Sequence, residues 1–564
     1  MFREDMIKTA LGRQDAELVI KNARILNVFT GEILPGDIAV TGGMIAGVGD
    51  YSNAACVEDA GGQFAVPGLI NTHCHVESSM MTPEIYCREE LRWGVTTVIT
   101  DPHEAANVAG VDGIRFMRES AQGAPIDYFI QIPSCVPSTA FEHNGASIDA
   151  EDIWGLIGDR AVSGVGEMMN YPGVLDCNKA VLSVLDAAGE KTIDGHAPAL
   201  SGKELQAYSA AGIRTDHEST TFNEALEKLR AGIAVLVREG SAAKDVQAVI
   251  SGVVEHGVCT DMMAFCTDDK HIADIRREGT VRHCIRLSIA LGLAPIAAYR
   301  MATINAARIY GLKNLGAVAP GYQADFILLS DLEDVAVSQV YKRGVRVFPG
   351  EYAGRTSANY KMFPNSVNIA PINETSFALP HREDGRQPVI NIAKNRIVTE
   401  KSFIRSELAR DMLASGQLCK VAVVERHRAT GNIGVGLLAG YGLKNGAIAS
   451  TVSHDSHNII VAGTSDSDML FAVREIERMR GGYAFVRDGV TLGELPLPLF
   501  GLMCDRDPDE FIKALDELIK KCHKEGVNSG IDPFIALSFM ALPVIPEIRV
   551  TDMGVFDAVK FEFI

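Results

Sequence analysis

Short apolar segments alternate with amphipathic ones along the middle of the chain, and this alternation restricts the fold more than any other feature of the sequence. The segments predicted as strands are 68–72, 96–100, 128–132, 161–166, 191–195, 213–216, 233–237 and 262–266. Each strand-like segment from residue 161 onward is followed by a helix-like one until the last. Eight strand–helix units in roughly 240 residues match the size of a (β/α)8 TIM-type barrel. A doubly wound open α/β sheet is the alternative interpretation.

Strand-rich segments flank the predicted barrel on both sides, with turn residues between the strands. After the barrel, 315–318 and 324–330 are predicted as strands. At 564 residues the chain is too long for one compact core, so we expect several domains. The predicted division is an N-terminal helical extension at 1–16, a small β-sandwich domain from 17–66 plus 313–365, the catalytic barrel at 67–312, and a C-terminal α+β domain at 370–564. Within the last domain we expect a Gly-rich stretch at 431–446 and helices near 467–480 and 508–524.

Charge and cysteine usage exclude several classes of function. The net charge of -19 disfavours a nucleic acid or an anionic membrane as partner, and no apolar run reaches the ~18 residues of a membrane span. The 11 cysteines include no CxxC pair, which is typical of reduced thiols in a cytoplasmic protein. The acidic N-terminus does not resemble a signal peptide. These properties favour a cytoplasmic enzyme that acts on a small molecule.

Side chains of the types that bind metals follow the predicted strands one, four, five, six and eight. Catalytic residues of a barrel lie at the carboxyl ends of its strands, and imidazole and carboxylate suit Zn, Mn or Fe. Residues i and i+2 on a strand project to the same side, so His73 and His75 can hold one ion together. The candidate ligands are His73, His75, Glu167, His196, His217 and Asp268.

Each candidate ligand also has a simpler explanation. A single His at a strand end is more often a hydrogen-bonded structural residue than a ligand, and His-x-His alone is a weak signal. Glu167 could be a solvated loop charge, and Asp268 could cap a helix. Their joint occurrence after five of the eight predicted strands favours a metal centre.

This pattern resembles the amidohydrolase superfamily, which carries HxH after strand one, His after strands five and six, and Asp after strand eight. The segment 66–72 resembles the family's entry strand, and 302–308 and 320–325 resemble its signatures after the barrel. The resemblance covers roughly residues 17–350. Glu167 stands where hydantoinase- and dihydroorotase-like members carry a carboxylated Lys.

Three further segments are similar to the bacterial adenine deaminase branch of that superfamily. They are Val76-Glu77-Ser78-Ser79, Asp101-Pro102-His103-Glu104 and, in the C-terminal domain, Ser453-His454-Asp455-Ser456-His457-Asn458. The resemblance implies hydrolytic deamination of adenine to hypoxanthine and ammonia, in purine salvage, by a hydroxide that bridges two divalent metals. It implies Mn²⁺ or Fe²⁺ as the metals, with Zn²⁺ as the alternative.

The resemblance also implies a role for each site residue. One metal is expected on His73, His75 and Asp268, the other on His196 and His217, with Glu167 bridging. Glu77 is the candidate general acid for N1 of adenine, and Asp268 is the candidate carrier of the water's proton to the leaving amine. Candidates for substrate binding are His103, Ser134, His454 and His457, for which a structural role is the alternative.

Other functions remain open at this point. The chain could be another cyclic amide hydrolase or nucleobase deaminase of the same superfamily, or a metal-free scaffold protein of the same fold. The unrelated base-flipping zinc deaminases need a P-C-x-x-C motif that this sequence lacks. The expected partner is a purine base, with no nucleic acid and no membrane. The chain is expected to form a homo-oligomer, for which a dimer is the first hypothesis.

Overall fold

In the computed structural model, which describes residues 2–348, 365–392 and 398–564, the chain begins with a helix and five strands. These are α1 (Phe2–Ala10), β1 (Ala16–Leu26), β2 (Ile33–Thr41), β3 (Met44–Gly49), β4 (Ala54–Asp59) and β5 (Phe64–Pro67). Strand β1 pairs antiparallel with β2 and parallel with both β4 and β5. Part of the predicted small β domain, residues 349–364, lies outside the described residues.

A closed ring of parallel strands follows, and it confirms the predicted barrel over the open sheet. Strands β6 to β10 are hydrogen bonded in sequence, β11 to β13 form a second run, and β14 pairs with β6. The Arg214 amide donates to the Ile193 carbonyl (3.0 Å) and links the two runs. Every predicted strand overlaps an observed one: β6 (Leu69–His75), β7 (Val95–Thr100), β8 (Asp127–Ile132), β9 (Val162–Met168), β10 (Thr192–Gly195), β11 (Thr215–Asp216), β12 (Ala234–Arg238) and β13 (Met263–Cys266), which β14 (Asp268–Asp269) continues.

Twelve helices lie between and after the barrel strands. Because the helices cover the outside of the ring, β6, β7 and β9 are buried at every residue. Local capping sets several helix ends; Thr221, for example, accepts from the Glu224 amide. The helices are α2 (Pro83–Arg92), α3 (His103–Ser120), α4 (Ala150–Leu156), α5 (Tyr171–Leu175), α6 (Lys179–Ala187), α7 (Gly202–Ala210), α8 (Phe222–Arg230), α9 (Val246–His256), α10 (Ile272–Glu278), α11 (Val281–Ala290), α12 (Pro295–Met301) and α13 (Ile304–Ile309).

Three strands after the barrel return to the N-terminal sheet. They are β15 (Phe326–Leu329), β16 (Val337–Lys342) and β17 (Val345–Phe348), and the sheet order is β17-β16-β15-β5-β1-β2-β3, with β4 on β1. The apolar run 315–318, expected as a strand, is irregular instead. Gly316 adopts a φ of +85° there, which interrupts an extended backbone, and Leu315 and Val318 are buried without strand pairing.

The C-terminal part contains an eight-stranded sheet of order β19-β18-β21-β20-β23-β22-β24-β25 and a three-stranded sheet. The helices expected near 467–480 and 508–524 are observed at Asp466–Met479 and Pro508–Lys524. The elements are β18 (Arg386–Ile392), β19 (Thr399–Arg405), α14 (Ser406–Ala414), β20 (Leu418–Val424), β21 (Ile433–Ala439), β22 (Ala447–Ser450), β23 (Ile459–Gly463), α15 (Asp466–Met479), β24 (Gly482–Arg487), β25 (Val490–Pro496), α16 (Pro508–Lys524), α17 (Pro533–Ser538), β26 (Ile548–Thr551), β27 (Gly554–Asp557) and β28 (Glu562–Phe563).

The C-terminal part packs against the barrel mouth, where the strands end. Met80 and Met81, which follow β6, belong to the hydrophobic cluster of the C-terminal sheet, and Leu499 and Phe500 belong to the barrel cluster. Because both clusters cross the predicted domain boundaries, the exact division of the chain stays a prediction. Among the described residues, none of the helices combines the length and the hydrophobicity that a membrane crossing needs.

Candidate metal centre

Four histidines and two carboxylates converge where the barrel strands end. All are buried except His196, which is partly exposed. Two histidines lie in the last three residues of β6, and one carboxylate is the residue before the last in β9. One histidine directly follows β10, another directly follows β11, and the second carboxylate is the first residue of β14. In that order they are His73, His75, Glu167, His196, His217 and Asp268, the six residues predicted as ligands.

One half of this cluster is formed by His73, His75 and Asp268. The Nε2 atoms of the two histidines lie 3.2 Å apart. The Oδ1 atom of Asp268 lies 3.1 Å from Nε2 of His75 and 3.7 Å from Nε2 of His73. Asp268 has a φ of +55° and caps no helix; His271 precedes the next helix. The three ligand-type atoms therefore face a common point.

Glu167 lies between this half and a second one. Its Oε1 atom is 3.4 Å from Nε2 of His75, and its Oε2 atom is 2.7 Å from Nδ1 of His196 and 3.2 Å from Nε2 of His217. The Glu167 amide donates to Asp101 (2.9 Å), and its carbonyl accepts from Ser134 Oγ (2.7 Å). Both contacts hold the backbone so that each carboxylate oxygen faces one half of the cluster.

The chemistry of the cluster fits divalent cations. Nitrogen and oxygen atoms of His73, His75 and Glu167 lie within 4.8 Å of one another, as do those of Glu167, His196 and His217. Burial, with His217 and His75 nearby, holds the pKa of His73 well below its usual range, so its ring stays neutral with a lone pair available. Buried carboxylates need compensating positive charge, and imidazole with carboxylate suits Mn, Fe and Zn.

Two charged residues beside the cluster were not predicted from the sequence. Oε1 of Glu218 lies 3.4 Å from Nε2 of His217 and 3.7 Å from Nδ1 of His196. Arg238, the last residue of β12, donates to Asp268 Oδ2 (2.9 Å) and, at a shorter distance, to Glu218. The sequence contains an indication of each residue: Glu218 directly follows the predicted ligand His217, and Arg238 is a charged residue at the end of an apolar strand.

Glu77 lies beside the centre in a setting unusual for a carboxyl group. It is buried, its Oε1 accepts from the Ala105 amide (3.0 Å), and its Oε2 has no hydrogen-bond partner among the described residues. Burial, together with the negative charge of Glu104, raises the pKa of Glu77 to about 8. The group is therefore protonated near neutral pH and can act as an acid.

The C-terminal part contributes residues at the barrel mouth through the loop between β22 and β23. Nδ1 of His454 lies 2.9 Å from Oε1 of Glu104, and Nε2 of His457 lies 3.7 Å from Oε2 of Glu104. His103 bridges inward, with Nδ1 3.3 Å from Glu167 and Nε2 4.0 Å from Asp455. These contacts form a chain of buried polar groups that leads from the C-terminal segment to Glu167.

A small cavity lies next to the centre, between the barrel and the C-terminal part. The barrel supplies Ser78 and Asp269, the neighbour of Asp268, while the C-terminal part supplies His454, Tyr483 and Phe539. The rings of His454 and Phe539 are stacked, with centroids 5.1 Å apart. Of the four residues predicted for substrate binding, His454 belongs to the lining, whereas His103, Ser134 and His457 are not among the lining residues.

Comparison with known proteins covers both parts of the chain. Residues 64–347 match the amidohydrolase family, and residues 396–562 match the adenine deaminase C-terminal domain. The adenine deaminase of Clostridium acetobutylicum is 44% identical, with 100% of this chain and 99% of that protein covered. That of Desulfitobacterium hafniense is 43% identical over 98% and 97% of the two chains. A crystal structure of an adenine deaminase is 16% identical, covers 58% of this chain and 99% of its own, and has a TM-score of 0.45.

The parallel barrel with histidines and carboxylates at its strand ends defines the class of this protein as a metal-dependent hydrolase of the amidohydrolase family. The match of residues 396–562 to the adenine deaminase C-terminal domain identifies the branch of this family. Within the amidohydrolases, the chain belongs to the adenine deaminases.

Proposed function

We propose that this chain hydrolyses adenine to hypoxanthine and ammonia. The observation that carries the proposal is the likeness to curated adenine deaminases across the whole chain, barrel and C-terminal part alike. The cluster at the barrel mouth supplies the groups that such a reaction needs: candidate metal ligands, a protonated carboxyl group and a second carboxylate beside a cavity.

The ligands divide into two sets that share one carboxylate. His73, His75 and Asp268 would hold one divalent ion, His196 and His217 would hold the other, and Glu167, which lies between the two sets, would serve both. When bound, two divalent ions supply positive charge that acidifies a water molecule toward hydroxide at neutral pH. The donor set suits Mn²⁺, Fe²⁺ and Zn²⁺, and we propose Mn²⁺ or Fe²⁺.

The protein's own groups would move the protons. Addition of a water oxygen to C6 of adenine reduces the C6–N1 double bond to a single bond, and Glu77 would protonate N1. Asp268 Oδ1 would accept a proton from the water and pass it to N6, after which the C6–N6 bond breaks and ammonia leaves. As the C6–O double bond of hypoxanthine forms, the proton on the added oxygen would return to Glu77. Arg238 occupies Oδ2 of Asp268, so Oδ1 is the oxygen that faces the centre.

The cavity beside the centre would bind the purine ring. His454 and Phe539 offer aromatic faces, and Ser78 and Asp269 offer hydrogen-bonding groups on the barrel side. His103, Ser134 and His457 would then support the site by holding Glu167 and the loop that carries His454.

A substrate panel tests the function. Apo-protein loaded separately with Mn²⁺, Fe²⁺ and Zn²⁺ is assayed for ammonia release from adenine, other purines, cytosine and hydantoins. We expect ammonia from adenine, with hypoxanthine as the second product. Activity on a hydantoin or on another base without any on adenine would reject the assignment.

We also propose a cytoplasmic location and a homodimer. All 11 cysteines are free, which suits a reducing compartment. The homodimer is checked by light scattering of the purified protein, where a mass near 121 kDa, twice the 60.7 kDa of one chain, is expected.

A further inference from the structure

Arg238 is a buried cation that contacts carboxylates from three different elements. It is 7% exposed and ends β12. Its Nε donates to Asp245 (3.0 Å), its Nη1 donates to Asp268 Oδ2 (2.9 Å) and to Glu218 Oε1, and its Nη2 lies 3.4 Å from Glu218 Oε2. A guanidinium fits such a set because its donors are fixed in one plane.

Two of these carboxylates, Asp268 and Glu218, lie beside opposite halves of the metal centre. Asp268 directs its other oxygen, Oδ1, toward His75 at 3.1 Å. Glu218 approaches His217 at 3.4 Å and His196 at 3.7 Å. One guanidinium therefore touches a carboxylate of each half at the same time.

We propose that Arg238 is a positioning residue that couples the two metal sites by orienting Asp268 and Glu218, and that Glu218 is an additional ligand of the site on His196 and His217. This inference rests on the proposed metal centre. The contact to Arg238 leaves only Oδ1 of Asp268 to face His75. Glu218 stands about as far from the two histidine nitrogens as two ligands of one tetrahedral ion stand from each other, ~3.4 Å for bonds of ~2.1 Å.

Charge explains why a cation is needed at this position. Glu167, Glu218, Asp268 and Asp245 are buried or nearly buried carboxylates that lie around Arg238 and the histidines. Removal of the guanidinium would leave Asp268 and Glu218 repelling each other, and each would be free to rotate away from its histidines. Partners of this kind behind metal ligands are worth about 10- to 100-fold in metal affinity.

Co²⁺ titration of the apo-protein tests the inference without any assay of catalysis. Absorption bands of Co²⁺ report the coordination of each site, and the titration gives stoichiometry and affinity. For the wild-type chain we expect two Co²⁺ per chain. For R238M and for E218Q we expect affinity about 10- to 100-fold weaker for at least one ion, with altered bands. The Co²⁺ affinity of R238K should lie between those of the wild type and R238M, because the Lys ammonium keeps the positive charge but lacks the planar set of donors of a guanidinium.

The control is R282M. Arg282 donates to the Val335 carbonyl and lies over the Trp93 ring, away from the carboxylates of the centre, so its removal should leave Co²⁺ binding at the wild-type level. Circular dichroism of each apo-variant checks the fold, and if R238M does not fold, R238K and E218Q decide. Wild-type affinity and bands in both of these variants would overturn the inference.

The same experiment separates this inference from the proposed function. A wild-type chain that binds fewer than two Co²⁺ would overturn the metal centre and the inference together. Two bound Co²⁺ without deamination of adenine would overturn the substrate alone. Normal deamination by the wild type with unchanged Co²⁺ binding in R238K and E218Q would overturn only the role of Arg238 and Glu218.

Discussion

At the scale of single residues, Glu77 shows how burial prepares a group for acid catalysis. Its Oε1 accepts from the Ala105 amide, which favours the ionised form, but burial and the nearby charge of Glu104 outweigh this contact and raise the pKa to about 8. The charge of Glu104 is itself stabilised by His454 at 2.9 Å. A contact made by the C-terminal part thus acts on a proton beside the barrel centre.

Replacement of Glu77 by Gln should remove the proton while preserving the shape. We expect kcat for adenine to fall about 10²- to 10⁴-fold, the usual contribution of a general acid, with metal content unchanged. A group with a pKa near 8 is protonated below that pH and loses its proton above it, so wild-type kcat/KM, which reports groups of the free enzyme, should fall as the pH rises through about 8. Ammonia release, followed from about pH 6 to pH 10, measures the rate loss in E77Q and the pH dependence of the wild type.

The control for Glu77 is Glu89→Gln, since Glu89 is a buried carboxylate paired with Arg276 on Nε at 2.8 Å. That variant should keep the wild-type rate and pH profile. Equal kcat in E77Q and wild type would remove Glu77 from the reaction and leave the proton source of N1 to another group.

The sequence predicted the six candidate ligands but not Glu218 and Arg238, the charged residues beside them. His73, His196 and His217 lie at the ends of apolar strands, and this position in the sequence is sufficient to predict them as candidate ligands. Arg238 stands at such an end too, yet the strand was predicted as 233–237, one residue short of the observed Ala234–Arg238. Contacts such as Arg238 with Asp268 join residues 30 positions apart, and no local pattern reports them.

At the scale of elements, the loop between β22 and β23 carries the C-terminal contribution to the site. His454 lines the cavity and stacks on Phe539, while His457 is fully buried behind it and faces Glu104. The Arg426 guanidinium holds this loop by donating to the carbonyl of His457 and, at 2.8 Å, to the carbonyl of Phe500. The loop is thus anchored on both sides.

Truncation of His454 should weaken adenine binding. Loss of one aromatic contact of about 0.5–1.5 kcal/mol predicts a KM for adenine raised about 2- to 10-fold in H454A. Because His457 supports the same loop, H457A should change the kinetics in the same direction. Steady-state kinetics measure both, with H523A on α16 as the control. Unchanged kinetics and metal content in H454A and H457A would exclude the loop from the purine pocket.

Removal of Arg426 should loosen the loop and destabilise the fold. R426M leaves the buried carbonyls of His457 and Phe500 and the partly buried carbonyl of Ser366 without this donor. At about 1–3 kcal/mol for each unsatisfied group, partly offset by the removal of a buried charge, we expect a loss of about 3 kcal/mol in the free energy of unfolding. Urea denaturation measures it, and R428M, which removes an exposed side chain, is the control. Equal midpoints for R426M and R428M would contradict this anchoring role.

The eight barrel strands could be predicted because each is a separate apolar run followed by a helix. The pairing of the C-terminal strands could not, since β18 pairs with β21 and β22 with β24 across intervening elements. The run 315–318 shows a further limit: it is as apolar as a strand, but a single glycine in a left-handed conformation diverts the backbone.

At the scale of the whole molecule, the barrel and the C-terminal part share hydrophobic packing. Phe500, from the C-terminal part, is 5% exposed and lies in the barrel cluster, with its ring centroid 5.1 Å from that of Phe116 in α3. Met81 makes the reverse contact from the barrel. Packing shared in both directions predicts that the two parts unfold together.

F500A therefore should destabilise both parts at once. Deletion of a buried aromatic ring costs about 3–5 kcal/mol, and we expect one transition, shifted to lower urea, in every probe. The fluorescence of Trp93 and Trp154 reports the barrel, because both tryptophans lie in it, and hydrogen exchange of β20 to β23 reports the C-terminal part. F403A, at an exposed ring of the C-terminal part (39%), is the control and should shift neither probe by more than a fraction of that amount. If hydrogen exchange in F500A shows the C-terminal sheet unfolding while the tryptophan transition stays at the wild-type midpoint, the two parts are independent units, and the cavity between them is assembled from separately folding pieces.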